Sequence, residues 1–202
     1  MSGPQTLRKL VLASGNPGKL KEYEVLARGH KLELELALLP GFAGLPEFPE
    51  SAPTFAENAA GKALHYSGHS EHTVFADDSG LVVPVLGGAP GVLSARYAGP
   101  AASSEQRNAK LLAELRGKKG DERVAYFVCV IAVARQGRCE LVVSEKVDGE
   151  ILEQPRGDGG FGYDPVFFFP PLGKAFAELH AEEKNRHSHR GKAFRRLLEV
   201  LE

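Results

Sequence analysis

The sequence lacks a charge bias: 25 Lys and Arg oppose 26 Asp and Glu, a formal net charge of −1. A broad electrostatic footprint for nucleic acid is thereby excluded, and any anionic partner must be met locally. Cysteine is nearly absent. Cys129 and Cys139 lie in apolar stretches without a second pair or matching His ligands, so neither a disulfide scaffold nor a zinc site is expected. No segment approaches the ~18 apolar residues of a spanning helix, and the apolar run near the start is too short for a signal-peptide core. The expectation is a cytoplasmic protein with no membrane partner. Internal repeats and low-complexity tracts are missing as well.

What is present is ordinary globular composition, 43% hydrophobic and 25% charged over 202 residues. That length suits one domain, 1–202, built as two lobes. Residues 7–13 predict a short buried strand, turning at Ser14-Gly15-Asn16 into a helix over 17–26 with Pro17 at its first position. Residues 31–39 alternate with period two. The Pro-, Gly- and Glu-rich segment 40–53 then reads as a lobe boundary or lid. Thr54 and Glu57 fit a capping box opening a helix to Tyr66, and Ser103 with Gln106 fits another. A strand is expected at 74–76, interrupted by Asp77-Asp78-Ser79-Gly80 before an apolar run over 81–86. A long hairpin is expected from 124–134 and 140–147 around Gln136-Gly137-Arg138. A glycine-rich loop (157–162), a strand (166–169) and two basic helices complete the chain.

Four places carry chemistry. Ser14, Gly15, Asn16, Pro17, Gly18 and Lys19 stand between strand and helix, where backbone N–H groups and a lysine can meet phosphate, although the spacing is not that of a Walker A loop. Asp77 and Asp78 place two carboxylates at a strand end, suited to Mg²⁺ and to activating water, with Glu50 as a further metal candidate. Phe161, among the glycines of 159–162, is a base-stacking candidate, whereas Tyr163 reads as a packing residue. Between Lys174 and Arg196, seven Lys and Arg face three acids. Within that run Lys184 and Arg190 flank Ser188, a candidate cap near a helix N-terminus, while Arg195 and Arg196 read as solvated. His65 and His69 share a helical face, but a third firm ligand is missing for zinc, so they read as a solvated helix end.

Taken together, six stretches in order resemble the inosine triphosphate pyrophosphatase family, the non-canonical purine nucleoside triphosphate pyrophosphatases. They are Ser14-Gly15-Asn16 with Lys19; Phe55, Glu57-Asn58-Ala59 and Lys62-Ala63; Ala76-Asp77-Asp78-Ser79-Gly80-Leu81; Gly88-Ala89-Pro90-Gly91 with Ser94-Ala95-Arg96-Tyr97; Gly160-Phe161-Gly162-Tyr163-Asp164-Pro165; and Ser188-His189-Arg190. The resemblance implies an α/β fold with an elongated mixed sheet flanked by helices in two lobes, a central nucleotide cleft, and a homodimer. It implies Mg²⁺-dependent hydrolysis of ITP, dITP and XTP to monophosphate and pyrophosphate. Asp78 becomes general base and metal ligand, with Glu50 as second ligand. Residues Ser14 to Lys19, Lys62, Ser79 and Lys184 are assigned to triphosphate and sugar. Phe161, Gly162, Tyr163, Asp164, His189 and Arg190 are assigned to the base and its surroundings. Competing readings are a septum-inhibitor-type pyrophosphatase preferring pyrimidine or modified nucleotides, a non-catalytic nucleotide sensor, and a nucleic-acid-binding module using the basic C-terminal helices.

Overall fold

The computed structural model describes residues 8–15, 17–28, 30, 32 and 34–202. Expectations resting on Leu7, Asn16, Lys31 and Glu33 lie outside the described residues. Seven strands form one mixed sheet, in the order β2-β1-β3-β4-β5-β6-β7. They are β1 (Arg8–Leu12), β2 (Leu34–Leu38), β3 (Thr73–Val82), β4 (Val124–Arg135), β5 (Arg138–Ile151), β6 (Phe167–Phe169) and β7 (Lys174–Ala175). β1 pairs in parallel with both β2 and β3, whereas β5–β6 and β6–β7 are antiparallel. The parallel pairs need crossovers, supplied by α1 (Pro17–Ala27) and α2 (Phe55–Ser67). The remaining helices are α3 (Ser104–Glu114), α4 (Ala181–His187) and α5 (His189–Leu201).

The described chain divides into two compact units. One holds the described residues up to Asp78 together with Cys129–Glu145 and Arg190–Glu202; the other holds Ser79–Val128 and Lys146–His189. Each has its own apolar core. The first packs Tyr23 of α1 and Phe194, Leu197 and Leu198 of α5 on Leu10, Leu12, Phe75, Ile131 and Val133 of the sheet. The second packs Leu111 and Leu115 beside Leu81, Phe127, Val147, Ile151, Phe167 and Phe176. The segment 40–53, expected at a lobe boundary, lies wholly inside the first unit. The chain changes unit within β3, β4 and β5 and after the first residue of α5, between His189 and Arg190, instead. A strand residue serves either unit without a loop, because its ladder is set by its sheet neighbours.

Two expectations about strands are corrected. Asp77 to Gly80 do not interrupt a strand: β3 continues through them to Val82. Their polarity is accommodated because side chains alternate across the sheet while the backbone keeps its ladder. The run 81–86 is likewise not one strand, since Pro84–Leu86 is a turn of 3-10 helix. The hairpin is as expected but tighter, its turn being Gln136 and Gly137 at φ 48° and 75°. Positive φ at both central residues is what a two-residue turn between right-twisted strands requires.

Both predicted helix starts are present. Thr54 accepts from the Glu57 amide, and Ser103 and Gln106 complete a reciprocal capping box at α3. Ser103→Ala is expected to destabilise the protein by about 1 kcal/mol, the ordinary loss for an N-cap hydroxyl. A shift in urea midpoint at constant slope would register it. No helix among the described residues is long and apolar enough to cross a membrane.

Candidate active site

In the first unit, β3 delivers Asp77 and Asp78 side by side, and the pleat sends their side chains to opposite faces. Asp77 is 2% exposed and enters a basic environment. Lys19 Nζ, from the first turns of α1, lies 2.9 Å from its Oδ1. Arg190, at the start of α5, reaches Oδ2 with Nε at 3.4 Å and holds Glu22 with Nη1 at 2.8 Å. Lys62 of α2 donates to the Asp77 carbonyl at 3.0 Å and also pairs with Glu50. Burial alone would raise the Asp77 pKa, but the charges of Lys19, Arg190 and Lys62 outweigh it and hold the carboxyl well below its usual range. Arg190, buried against Asp77 and Glu22, is correspondingly held cationic.

Asp78 faces a different environment. Burial pushes its carboxyl up to about 6, the Asn58 amide opposes the rise, and Glu50 adds to it. Adjacent residues of the same type thus titrate in different ranges, one held as an anion throughout and one ionising only as pH rises through about 6. Such a split is how one strand supplies both an electrostatic anchor and a proton acceptor.

In the second unit the loop 157–162 is held by Asp164. Its carboxylate accepts the Phe161 N–H at 2.7 Å and pairs with Lys184. Gly160 has φ 71°, and an added Cβ would sit 2.1 Å from Asp164 Oδ2, so only glycine permits this latch. Asn108 secures the Gly162 carbonyl at 3.1 Å, and the Tyr163 hydroxyl donates to the Ser94 carbonyl at 2.9 Å. The outcome is a Phe161 ring 55% exposed on a braced loop, with Lys184 Nζ 4.3 Å from its centroid. His189 is buried and stacks on Phe127, ring centroids 4.6 Å apart.

The expected residues therefore gather in two groups. Lys19, Lys62 and Arg190 meet Asp77 in the first unit, where Glu50 pairs with Lys62 and Asp78 lies next along β3; Ser14, Gly15 and Gly18, at the entry to α1, belong to the same unit. Only the backbone of Pro17, at the first position of α1, is described there, and Asn16 lies outside the described residues. Phe161, Gly162, Tyr163, Asp164, Lys184 and His189 belong to the second unit, as does Ser79. Sequence reasoning assigned Arg190 to the base and its surroundings; in the structure its guanidinium meets Asp77 and Glu22. It missed Glu22 and Asn58 as site components. Asn58 lies four residues before Lys62, so a shared helix face was legible, but its partners in other segments were not. Glu22 carried no local signal because its partner is 168 residues away. His65 packs near His69 and its Nε2 is 2.8 Å from the Pro46 carbonyl, so it is a packing contact rather than an open metal ligand.

A family model described as the Ham1 family matches residues 10–200. A dITP/XTP pyrophosphatase of Geobacillus kaustophilus is 48% identical over 97% of this chain and 95% of its own length. Another of Thermus thermophilus is 50% identical over 95% and 91%. Among solved structures, a HAM1 protein from Coxiella burnetii superposes with TM-score 0.87 at 39% identity, covering 96% of this chain and 98% of its own.

Proposed function

The chain belongs to the Ham1 family, and from that membership we propose that it hydrolyses dITP, ITP and XTP to the monophosphate and pyrophosphate. The observation that carries the chemistry is the split between Asp77 and Asp78. A carboxylate pushed up to about 6 takes a proton from water more readily than one held far lower. In this reading water attacks the α-phosphorus, its proton passes to Asp78, and the bond from α-phosphorus to the bridging oxygen breaks to release pyrophosphate. Lys19 and Lys62 meet the growing negative charge, and the N-terminus of α1 adds backbone donors. Phe161 offers its exposed face to the purine, and the loop brace limits the order lost when it stacks.

Among the described residues no three His, Cys, Asp or Glu side chains converge as a complete metal cage. A Mg²⁺ ion does not need one, since it takes one or two carboxylates and completes its shell with phosphate oxygens and water. Glu50 and Asp78, whose ionised form Glu50 disfavours, fit that demand. They would hold the ion, which when bound supplies positive charge to the phosphate oxygens. A homodimer belongs to the same proposal, as does a cytoplasmic setting; sedimentation of the purified protein checks the dimer.

The direct test is pyrophosphate release from dITP, ITP, XTP, GTP, ATP and dTTP, with Mg²⁺ and with EDTA. Metal-dependent formation of dIMP, IMP and XMP, with GTP, ATP and dTTP at least about tenfold slower, is expected, because a site that pairs polar groups with one base edge rejects the wrong edge. Preferential dTTP hydrolysis would move the assignment to a pyrimidine or modified-nucleotide enzyme. Binding of ITP without turnover would make the chain a sensor.

A further inference from the structure

The segment that carries Glu50 is docked along one face of α2. The Asn58 side chain makes a closed pair with the backbone of Ala52, accepting its N–H at 3.0 Å and donating to its carbonyl at 3.3 Å. Gly61 leaves room for the Phe48 ring, where an added Cβ would be 2.4 Å from Cζ. Tyr66 Oη accepts the Phe48 N–H at 3.2 Å, and His65 Nε2 lies 2.8 Å from the Pro46 carbonyl. Positions 58, 61, 62 and 65 recur with helical period, so Lys62 rises from the middle of this face. Its ammonium pairs with Glu50 and donates to the Asp77 carbonyl of β3 at 3.0 Å. The contacts that hold Pro46, Phe48 and Ala52 do not pass through Lys62, so the loop has supports of its own on both sides of Glu50.

The two members of the Lys62–Glu50 pair face water unequally. The Lys62 side chain is 11% exposed and that of Glu50 36%. A cation arriving from solvent therefore meets the carboxylate first, and there it shares one negative charge with the ammonium. Two cations on one carboxylate repel each other, so Lys62 and a divalent ion compete for Glu50. Lys62 has an alternative partner within reach of its anchor. An ammonium has three donors, and the bond to the Asp77 carbonyl holds Nζ at the strand while the other two can turn to phosphate oxygens. We propose that Lys62 is an exchangeable counter-cation: it neutralises Glu50 until a divalent cation takes that carboxylate, and its ammonium then passes to the triphosphate. Metal and nucleotide are thereby coupled through one side chain, each easing the binding of the other. This inference rests on the reading of Glu50 as a metal carboxylate above.

Binding of Mn²⁺ alone, read by electron paramagnetic resonance without nucleotide, tests the exchange. Lys62→Met removes the competing charge and keeps most of the stem, so Mn²⁺ affinity is expected to rise about threefold. Amide exchange at Phe48 and Ala52 should stay as in wild type. A lysine that only met phosphate would leave the affinity for metal alone unchanged, and one that propped the loop would lower it and speed that exchange; either result in folded protein would overturn the proposal. The reciprocal arm measures binding of inorganic pyrophosphate in EDTA. Glu50→Gln should tighten it by about threefold, and the gain should vanish when Lys62→Met is combined with it, since the released ammonium supplies it. A gain of the same size in the double variant would overturn the proposal, because loss of the Glu50 charge would then suffice. Should Lys62→Met not fold, the wild type still decides: the Lys62 ε-methylene NMR signal is expected to shift with Mg²⁺ alone, and a signal that Mg²⁺ leaves unmoved would end the idea. Wild-type Mn²⁺ affinity in Glu50→Gln would remove the metal reading of Glu50 and this inference together. Weakened Mn²⁺ binding in Glu50→Gln without a gain in Lys62→Met would remove this inference alone.

Discussion

Asp78→Asn is expected to lower kcat for dITP by about 10²–10⁴-fold, the range for loss of a general base, and at the same time to make the metal-free protein more stable at neutral pH. The second effect follows from the direction of its pKa. Burial, with Glu50 nearby, raises the folded-state value to about 6, above its ordinary value of 3.8. The folded state therefore holds the proton more tightly than the unfolded state. Stability from this group is full below its unfolded value and is lost as pH rises through about 6. Above that, the native protein carries an ionised carboxylate that would be more favourable in water. Asn keeps a polar side chain for Asn58 and carries no charge, so it should gain on the order of 2 kcal/mol above pH 7. That gain should shrink towards pH 5. Urea melts in EDTA at pH 5 and pH 8 measure the difference directly. Equal stability at both values would remove the burial argument, and near-normal turnover in the folded variant would remove the catalytic one.

The neighbouring substitution should act with the opposite sign. Asp77→Asn is expected to destabilise the protein by about 3–5 kcal/mol, the scale for deleting one member of a buried ion cluster. Arg190 is buried, and Asp77 is its partner together with Glu22. Without the Asp77 charge, Lys19 and Arg190 lose the carboxylate they share while Glu22 stays on Arg190, and a buried guanidinium cannot shed its proton. Because the folded-state pKa of Asp77 is depressed, its contribution is fully present above the unfolded value and is lost as pH falls through the folded one. The gap between wild type and Asp77→Asn should therefore be constant near neutrality and narrow below about pH 4, where the unfolded-state carboxyl begins to protonate. A deficit under 1 kcal/mol at pH 7 would show that the cluster reorganises around Asn. Two adjacent aspartates with stability effects of opposite sign would be hard to explain by exposure or strand propensity.

Asn58 and Gly61 show where reading the chain stopped. The helix that carries them was legible from Thr54, Glu57 and the apolar spacing, and so was the start of β3 over 74–76, although Asp77 to Gly80 read as its interruption. What Gly61 was for was not legible, because a glycine inside a helix has a reason only when the ring above it is known. The same holds for the segment 40–53. Its Pro, Gly and Glu content pointed to an irregular loop, correctly, but its composition says nothing of docking on α2, which depends on side chains spaced along another element.

By itself the sequence determined the parts whose causes are local: the strand-to-helix turn before Pro17, the caps at Thr54 and Ser103, the hairpin at Gln136-Gly137, and the order of motifs that places the chain in its family. Those depend on backbone conformation and side-chain period within a few residues. The tertiary structure decided what neighbouring groups became. It ran β3 unbroken through Asp77 to Gly80, turned the two carboxylates to opposite faces, and set Lys19, Lys62 and Arg190 around one while Asn58 and Glu50 met the other. Charge state depends on distance and burial, and both are created only when segments remote in the chain pack together.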